Sequence, residues 1–169
     1  MLFVQVNPKT PSDPCHKEPE TQARAGTIVM TASGDLLMPL MGTPSAVGLA
    51  RTLVDARLRN WSYSHILDNA LLVVSELVTN AARQTPHREI RLQLSRDAHG
   101  VVIAVWDADF ALPQAKPMKE LTLEDLDLSK EAFDDNGGWG LHIVQALSSK
   151  CGVTGDPAGG KWVWSRIRP

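Results

Sequence analysis

The chain has 169 residues, enough for one ordinary domain and a tail, and its 43% hydrophobic and 21% charged content suits a single buried core. A net charge of −2 with no block of Lys and Arg argues against a direct nucleic-acid partner. No apolar run approaches the ~18 residues of a bilayer span, and the opening MLFVQVNPKTPSDPC has neither a basic start nor a sustained apolar stretch. No membrane partner or secretory leader is therefore expected, and the expected location is cytoplasmic.

Residues 1–33 are rich in Pro, Thr, Ser, Lys and Glu without periodicity and read as a disordered tail, which leaves 34–169 as one domain. Asp35–Met41 is short and apolar with Pro39 inside, the pattern of an edge strand. Thr43 or Ser45 is placed to cap a helix that starts near Pro44. Val47, Ala50, Leu53, Val54, Leu58 and Trp61 recur on one face of it, with Arg51, Asp55 and Arg59 opposite. A second helix is expected from Ser64, its N-cap, to Gln84, with Ile66, Leu67, Ala70, Leu71, Val74, Leu77, Val78 and Ala81 inward and Pro86 as the stop.

Glu89–Arg96 alternates strictly and Val101–Trp106 is almost continuously apolar, so Asp97–Gly100 reads as the turn of a hairpin. The acidic stretch 108–137 is too long for an ordinary connection and reads as a lid, with room for one short helix in LTLEDLDLSKEAF. Gly137-Gly138-Trp139-Gly140 opens a third helix, Leu141–Ser149. Cys151–Thr154 and Lys161–Ile167 form a closing hairpin about Asp156–Gly160. This order predicts an α+β two-layer sandwich with helices on one face of a mixed or antiparallel sheet.

Three features carry chemistry. In Ser75-Glu76-Leu77-Val78-Thr79-Asn80, Glu76 and Asn80 are four apart and share one helix face, a stripe that Arg83 or Gln84 extends. The amide oxygen suits Mg2+ and the carboxylate suits proton acceptance; a solvated stripe describes the pair equally. Asp107 ends the apolar strand, where it can accept the amine of adenine or simply terminate a turn. The glycines at 137, 138 and 140 let backbone N–H groups approach a phosphate at a helix N-terminus, or form a hinge without ligand. The run fits neither the Walker nor the dinucleotide pattern. Trp61, Trp106, Trp162 and Trp164 read as packing residues. Neither a disulfide between Cys15 and Cys151 nor a metal site built on the five histidines is expected.

SELVTNA, an apolar strand ending in Asp, a variable lid, GGWGLHIV and a closing GGKWVW strand together resemble the GHKL ATP-binding fold across residues 36–168. That superfamily includes gyrase, heat-shock chaperone ATPases, histidine kinases and mismatch-repair ATPases. The match looks nearest to the stand-alone anti-sigma-factor serine/threonine kinases of actinobacterial type. The resemblance implies Mg2+ and ATP as cofactors, Glu76 as general base, Asn80 as metal ligand and Asp107 as the adenine contact. It implies backbone phosphate contacts at Gly138, Gly140 and Leu141, and the acidic segment as the ATP lid. Trp139, set among glycines, is read as a cover for the nucleotide, and Arg83 as part of the same binding stripe. The implied partners are a sigma factor and an anti-sigma-factor antagonist, with a homodimer through the apolar 35–41 edge as a further expectation. The family's Asp-x-Gly-x-Gly run is Asp107-Ala108-Asp109-Phe110-Ala111 here, its usual closing-strand Thr is Trp162, and Gln84 stands where His is common. A binding module without catalysis is the competing expectation.

Overall fold

The computed structural model describes residues 29–30, 35–112 and 140–169. The order is β1 (Val29–Met30), β2 (Leu36–Met41), α1 (Pro44–Asn60), a 3-10 turn (Ser64–Ile66), α2 (Leu67–Gln84), β3 (Glu89–Asp97), β4 (Gly100–Asp107), α3 (Gly140–Leu147), β5 (Lys150–Gly155) and β6 (Lys161–Ile167). The strands form one sheet, β1-β2-β3-β4-β6-β5, with every neighbouring pair antiparallel. The architecture is the expected α+β sandwich, with the mixed alternative resolved to antiparallel.

Strand alternation decides which residues meet the helices. Leu92 pairs with Val105 and Val105 with Val163, while Leu94 pairs with Ile103 and Ile103 with Ser165. Register partners share a face, so Ile90, Leu92, Leu94, Ile103 and Val105 line the buried side at 1% exposure or less. α2 lies across β4 and β6, flanked by α1 and α3. Its Ala70, Val73, Val74, Leu77, Val78 and Ala81 are buried, and with Val54 and Leu58 of α1 they complete one core. Fully burying each large aliphatic side chain contributes about 1.5–3 kcal/mol. Of the expected inward set, Ala70, Val74, Leu77, Val78 and Ala81 are buried in α2 and Val73 joins them, whereas Leu67 and Leu71 are only partly buried and the buried Ile66 belongs to the 3-10 turn.

Several expectations change in detail. Ser64 does not cap α2: it opens the 3-10 turn, and neither Tyr63 nor Ile66, the residues preceding the two helical segments, makes a side-chain cap bond. Thr43 does occupy the cap position of α1, but its hydroxyl pairs with Ser45 Oγ at 2.8 Å instead of a backbone N–H. Arg51 is not merely solvated, since its Nη1 donates to Leu71 O (3.1 Å) and Ser75 Oγ (2.9 Å) and ties α1 to α2. Arg59 and Asp55, on the side away from the core, form a surface ion pair at 3.0 Å. β2 is not the outermost strand, because β1 pairs with Leu36 and Leu37; Pro39 falls beyond that cover. Val29–Met30 lies inside the stretch read as tail, whose remaining residues are outside the described ones, as are residues 113–137 of the lid with the short helix expected in it.

α3 stops at Leu147, two residues earlier than expected. Ser148 Oγ pairs with Val144 O and Ser165 Oγ, and the Ser149 N–H turns to Arg166 O at 2.8 Å on β6. Burial pushes the neighbouring Cys151 thiol up, more than its Ser148 hydrogen bond lowers it. Of the tryptophans, Trp61 is buried, whereas Trp106, Trp162 and Trp164 lie half-buried on the sheet's outer face. There each indole N–H finds an acceptor, and Arg91 stacks 4.5 Å from the Trp106 ring.

Candidate functional site

Glu76 and Asn80 sit one turn apart on α2, both half-buried. Their neighbour is the first turn of α3. A Cβ built on Gly140 would lie 2.1 Å from Glu76 Oε2, 3.0 Å from its Cδ and 3.5 Å from its Cβ. Only a residue without a side chain lets α3 begin against that carboxylate. The sequence separates these positions by 64 residues, and the packing of α2 on α3 brings them together. Leu141 is buried at 8%, so its side chain belongs to the core and only its backbone is left for a ligand. Arg83, in the last turn of α2, is exposed. Gly138 and Trp139 lie outside the described residues.

The second half of the site is at the ends of β4 and β6. Asp107 is fully buried, and it pairs in register with Lys161. Lys161 Nζ donates to Asp107 Oδ1 at 2.7 Å and to Asp109 O at 2.9 Å, with Asp109 Oδ2 at 3.9 Å. The Asp109 N–H also donates to Asp107 Oδ1, at 2.9 Å. Asp107 Oδ2 is buried and has no hydrogen-bond partner among the described residues. Such a group is costly to leave unmade, which makes it a candidate ligand contact.

Lys161 is the site residue that sequence reasoning missed. One signal was available: Lys161, Val163, Ser165 and Ile167 alternate on the inward face of β6, and an inward lysine demands a carboxylate. Trp162, the residue in the position of the family's usual Thr, faces outward beside Trp106, so it is not the one that meets Asp107.

With both halves described, the comparison is decisive: residues 41–167 match the histidine kinase-like ATPase domain. The chain belongs to that family. No curated protein matches it closely enough to report. The match begins at the last residue of β2 and runs through β6, so it takes in every element that carries the site.

Membership of the histidine kinase-like ATPase family implies ATP binding, usually with Mg2+, and the residues present fit both. Among the described residues Asp107 Oδ2 is an acceptor without a donor, a place that the amine of adenine would fit. The first turn of α3 itself carries no acidic residue, which suits a phosphate at that helix end, and the carboxylate that lies beside it is Glu76 of α2. Among the described residues no group of three His, Cys, Asp or Glu could hold a metal. A Mg2+ ion in this ATPase-family domain would therefore rely on the Asn80 amide oxygen, phosphate oxygens and water, the usual mixture for that ion. No described helix is long and apolar enough to cross a membrane.

Proposed function

We propose that this ATPase-family domain is a regulatory serine/threonine protein kinase, an anti-sigma factor that phosphorylates its antagonist and thereby controls capture of a sigma factor. The observation that carries the reading is the Glu76 carboxylate lying directly against Gly140 at the start of α3. A base and a phosphate-binding helix tip in contact are what phosphoryl transfer to a hydroxyl requires, because that chemistry is mostly positioning and charge neutralisation.

Each residue then has a role. Mg·ATP, when bound, supplies the phosphoryl group. Asp107 Oδ2 accepts the adenine amine. Asn80 would offer its amide oxygen to the metal, and the backbone N–H groups of Gly138, Gly140 and Leu141 would serve the phosphates, with Arg83 extending the stripe and Trp139 expected as a cover. Glu76 would accept the proton of the partner's serine hydroxyl as that oxygen bonds to the γ-phosphorus and the bond from phosphorus to the bridging oxygen breaks, releasing ADP. The expected protein partners remain the sigma factor and the antagonist, with a second copy against β2 where β1 leaves it uncovered.

The test uses purified protein, radiolabelled ATP, Mg2+ and a candidate antagonist. Glu76→Ala should retain nucleotide and lose phosphoryl transfer by about 10²- to 10⁴-fold, the usual contribution of a positioned base. Unchanged transfer removes the assignment. One observation favours a second reading, a non-catalytic module that sequesters its partner. Asp109 and Ala111 replace the family's two glycines, and the Asp109 carbonyl is committed to Lys161. Failure to bind Mg·ATP at millimolar concentration favours that alternative.

A further inference from the structure

The Asp107–Lys161 pair is unevenly built. Oδ1 of Asp107 receives two donors, Lys161 Nζ at 2.7 Å and the Asp109 N–H at 2.9 Å, whereas Oδ2, equally buried, receives none among the described residues. A pair serving stability alone would satisfy both oxygens, since a buried acceptor without a donor is destabilising. Lys161 is itself immobilised. It is 2% exposed, and its second bond runs to Asp109 O. Its backbone is fixed by the preceding turn. Gly160 has φ +80°, and a Cβ there would lie 2.3 Å from Asp107 O and 3.0 Å from Ala108 Cα, so β6 starts in direct contact with the end of β4. From the outer face, Trp106 Nε1 donates to Gly159 O at 3.1 Å.

We propose that Lys161 is a positioning residue for base recognition. It holds Asp107 with one oxygen consumed and the other kept for the exocyclic amine of adenine, and so sets a preference for 6-amino over 6-oxo purine nucleotides. This rests on reading the site as a nucleotide site. Lys161 and the Asp109 backbone together brace the segment after β4, where this chain has Asp109 and Ala111 instead of glycines. A 6-oxo purine presents a lone pair, not a donor, to Oδ2 and is repelled by it. Without the ammonium the carboxylate loses its fixed orientation as well as its counter-charge, and the discrimination goes with them.

The test is equilibrium binding of ATP and inosine triphosphate, each with Mg2+, to the full chain and to D107N, K161M and D107N/K161M. The wild type should prefer ATP by about 10- to 100-fold, the usual worth of one hydrogen bond to a charged group. K161M should lose that preference through weaker ATP binding, with inosine triphosphate affinity unchanged. The double variant should match D107N alone, because the lysine acts through the aspartate. A merely structural lysine would weaken both nucleotides alike and leave their ratio intact, and that result overturns the proposal. If K161M does not fold, K161Q is measured instead. Its donor is one bond short of the ammonium position, so the same loss is expected, and a wild-type ratio overturns the inference. A wild type that binds both nucleotides without preference overturns it too. A wild type that binds neither overturns the nucleotide reading beneath it, which separates the two failures.

Discussion

The two ends of the site are held by different kinds of structure. At the end proposed for the phosphates, Glu76 and Asn80 come from a single helix, and Glu76 meets the glycine start of a second one. At the end proposed for the base, Asp107 and Lys161 come from neighbouring strands, 54 residues apart in sequence, and are joined as a buried ion pair. The first is a packing contact that tolerates no extra atom. The second is an electrostatic contact that tolerates no missing charge. The two ends should therefore fail in different ways, one losing chemistry with little change in stability and the other losing stability along with base recognition.

The largest expected effect tests the base end. Lys161→Met leaves the Asp107 carboxylate buried without its cation, and removing one partner of a buried pair typically costs about 3–5 kcal/mol. Urea unfolding should show that loss, and D107N/K161M should regain most of it because neither charge is then left alone. A cost under about 1 kcal/mol would mean water screens the pair, as it does at the surface, and the contrast between the two ends would disappear.

Gly140→Ala probes the other end. The new Cβ conflicts with Glu76 Oε2 and Cδ, but its 3.5 Å distance to Glu76 Cβ is ordinary contact, so the helices can stay in place while the carboxylate is expelled. Phosphoryl transfer should fall by about 100-fold or more, as for loss of a general base. Stability should change by no more than about 1 kcal/mol, the Gly-to-Ala propensity difference in a helix. The measurements are a transfer assay and a thermal melt, and G140A/E76A should be no worse than E76A. Full activity in G140A would show that Gly140 does not set the position of Glu76.

The same contrast explains what could be read from the sequence. The helical stripe of Glu76 and Asn80, the alternation of Ile90, Leu92 and Leu94 and the glycine directly before Leu141 are all short-range patterns, and each appears where the spacing places it. The partner of Asp107 is set by the registers of two hairpins, β3–β4 and β5–β6, and of the β4–β6 pairing between them. No local window contains that information: the sequence alone places Trp162 at the family's Thr, whereas the inward residue is Lys161. The bond from Arg51 to Leu71 O was hidden for the same reason: periodicity gives the side of a helix, not the neighbour that helix packs against. The early end of α3 likewise depends on β6, whose Arg166 carbonyl takes the Ser149 N–H.

The smallest effect lies at the far end of the sheet and serves as a control on both ends. Asp97 closes the β3–β4 hairpin. Its Oδ1 accepts the His99 N–H at 2.7 Å and its Oδ2 accepts Arg166 Nη2 at 2.6 Å. The backbone bond from His99, with a smaller contribution from Arg166, lowers its carboxyl below the usual range. A carboxyl lowered on folding adds stability that is fully present above its unfolded value of about 3.9, and that stability is lost as pH falls through the folded value. A wild-type melting temperature followed into acid should therefore decline more than that of Asp97→Asn, which has no carboxylate to protonate. The two should run parallel at neutral pH and above. Asp97 pairs with Gly100 at the opposite end of β4 from Asp107, so the substitution should leave the ATP-to-inosine preference untouched. A change in that preference would mean that the register of β4, and not the lysine beside its end, orients the Asp107 carboxylate.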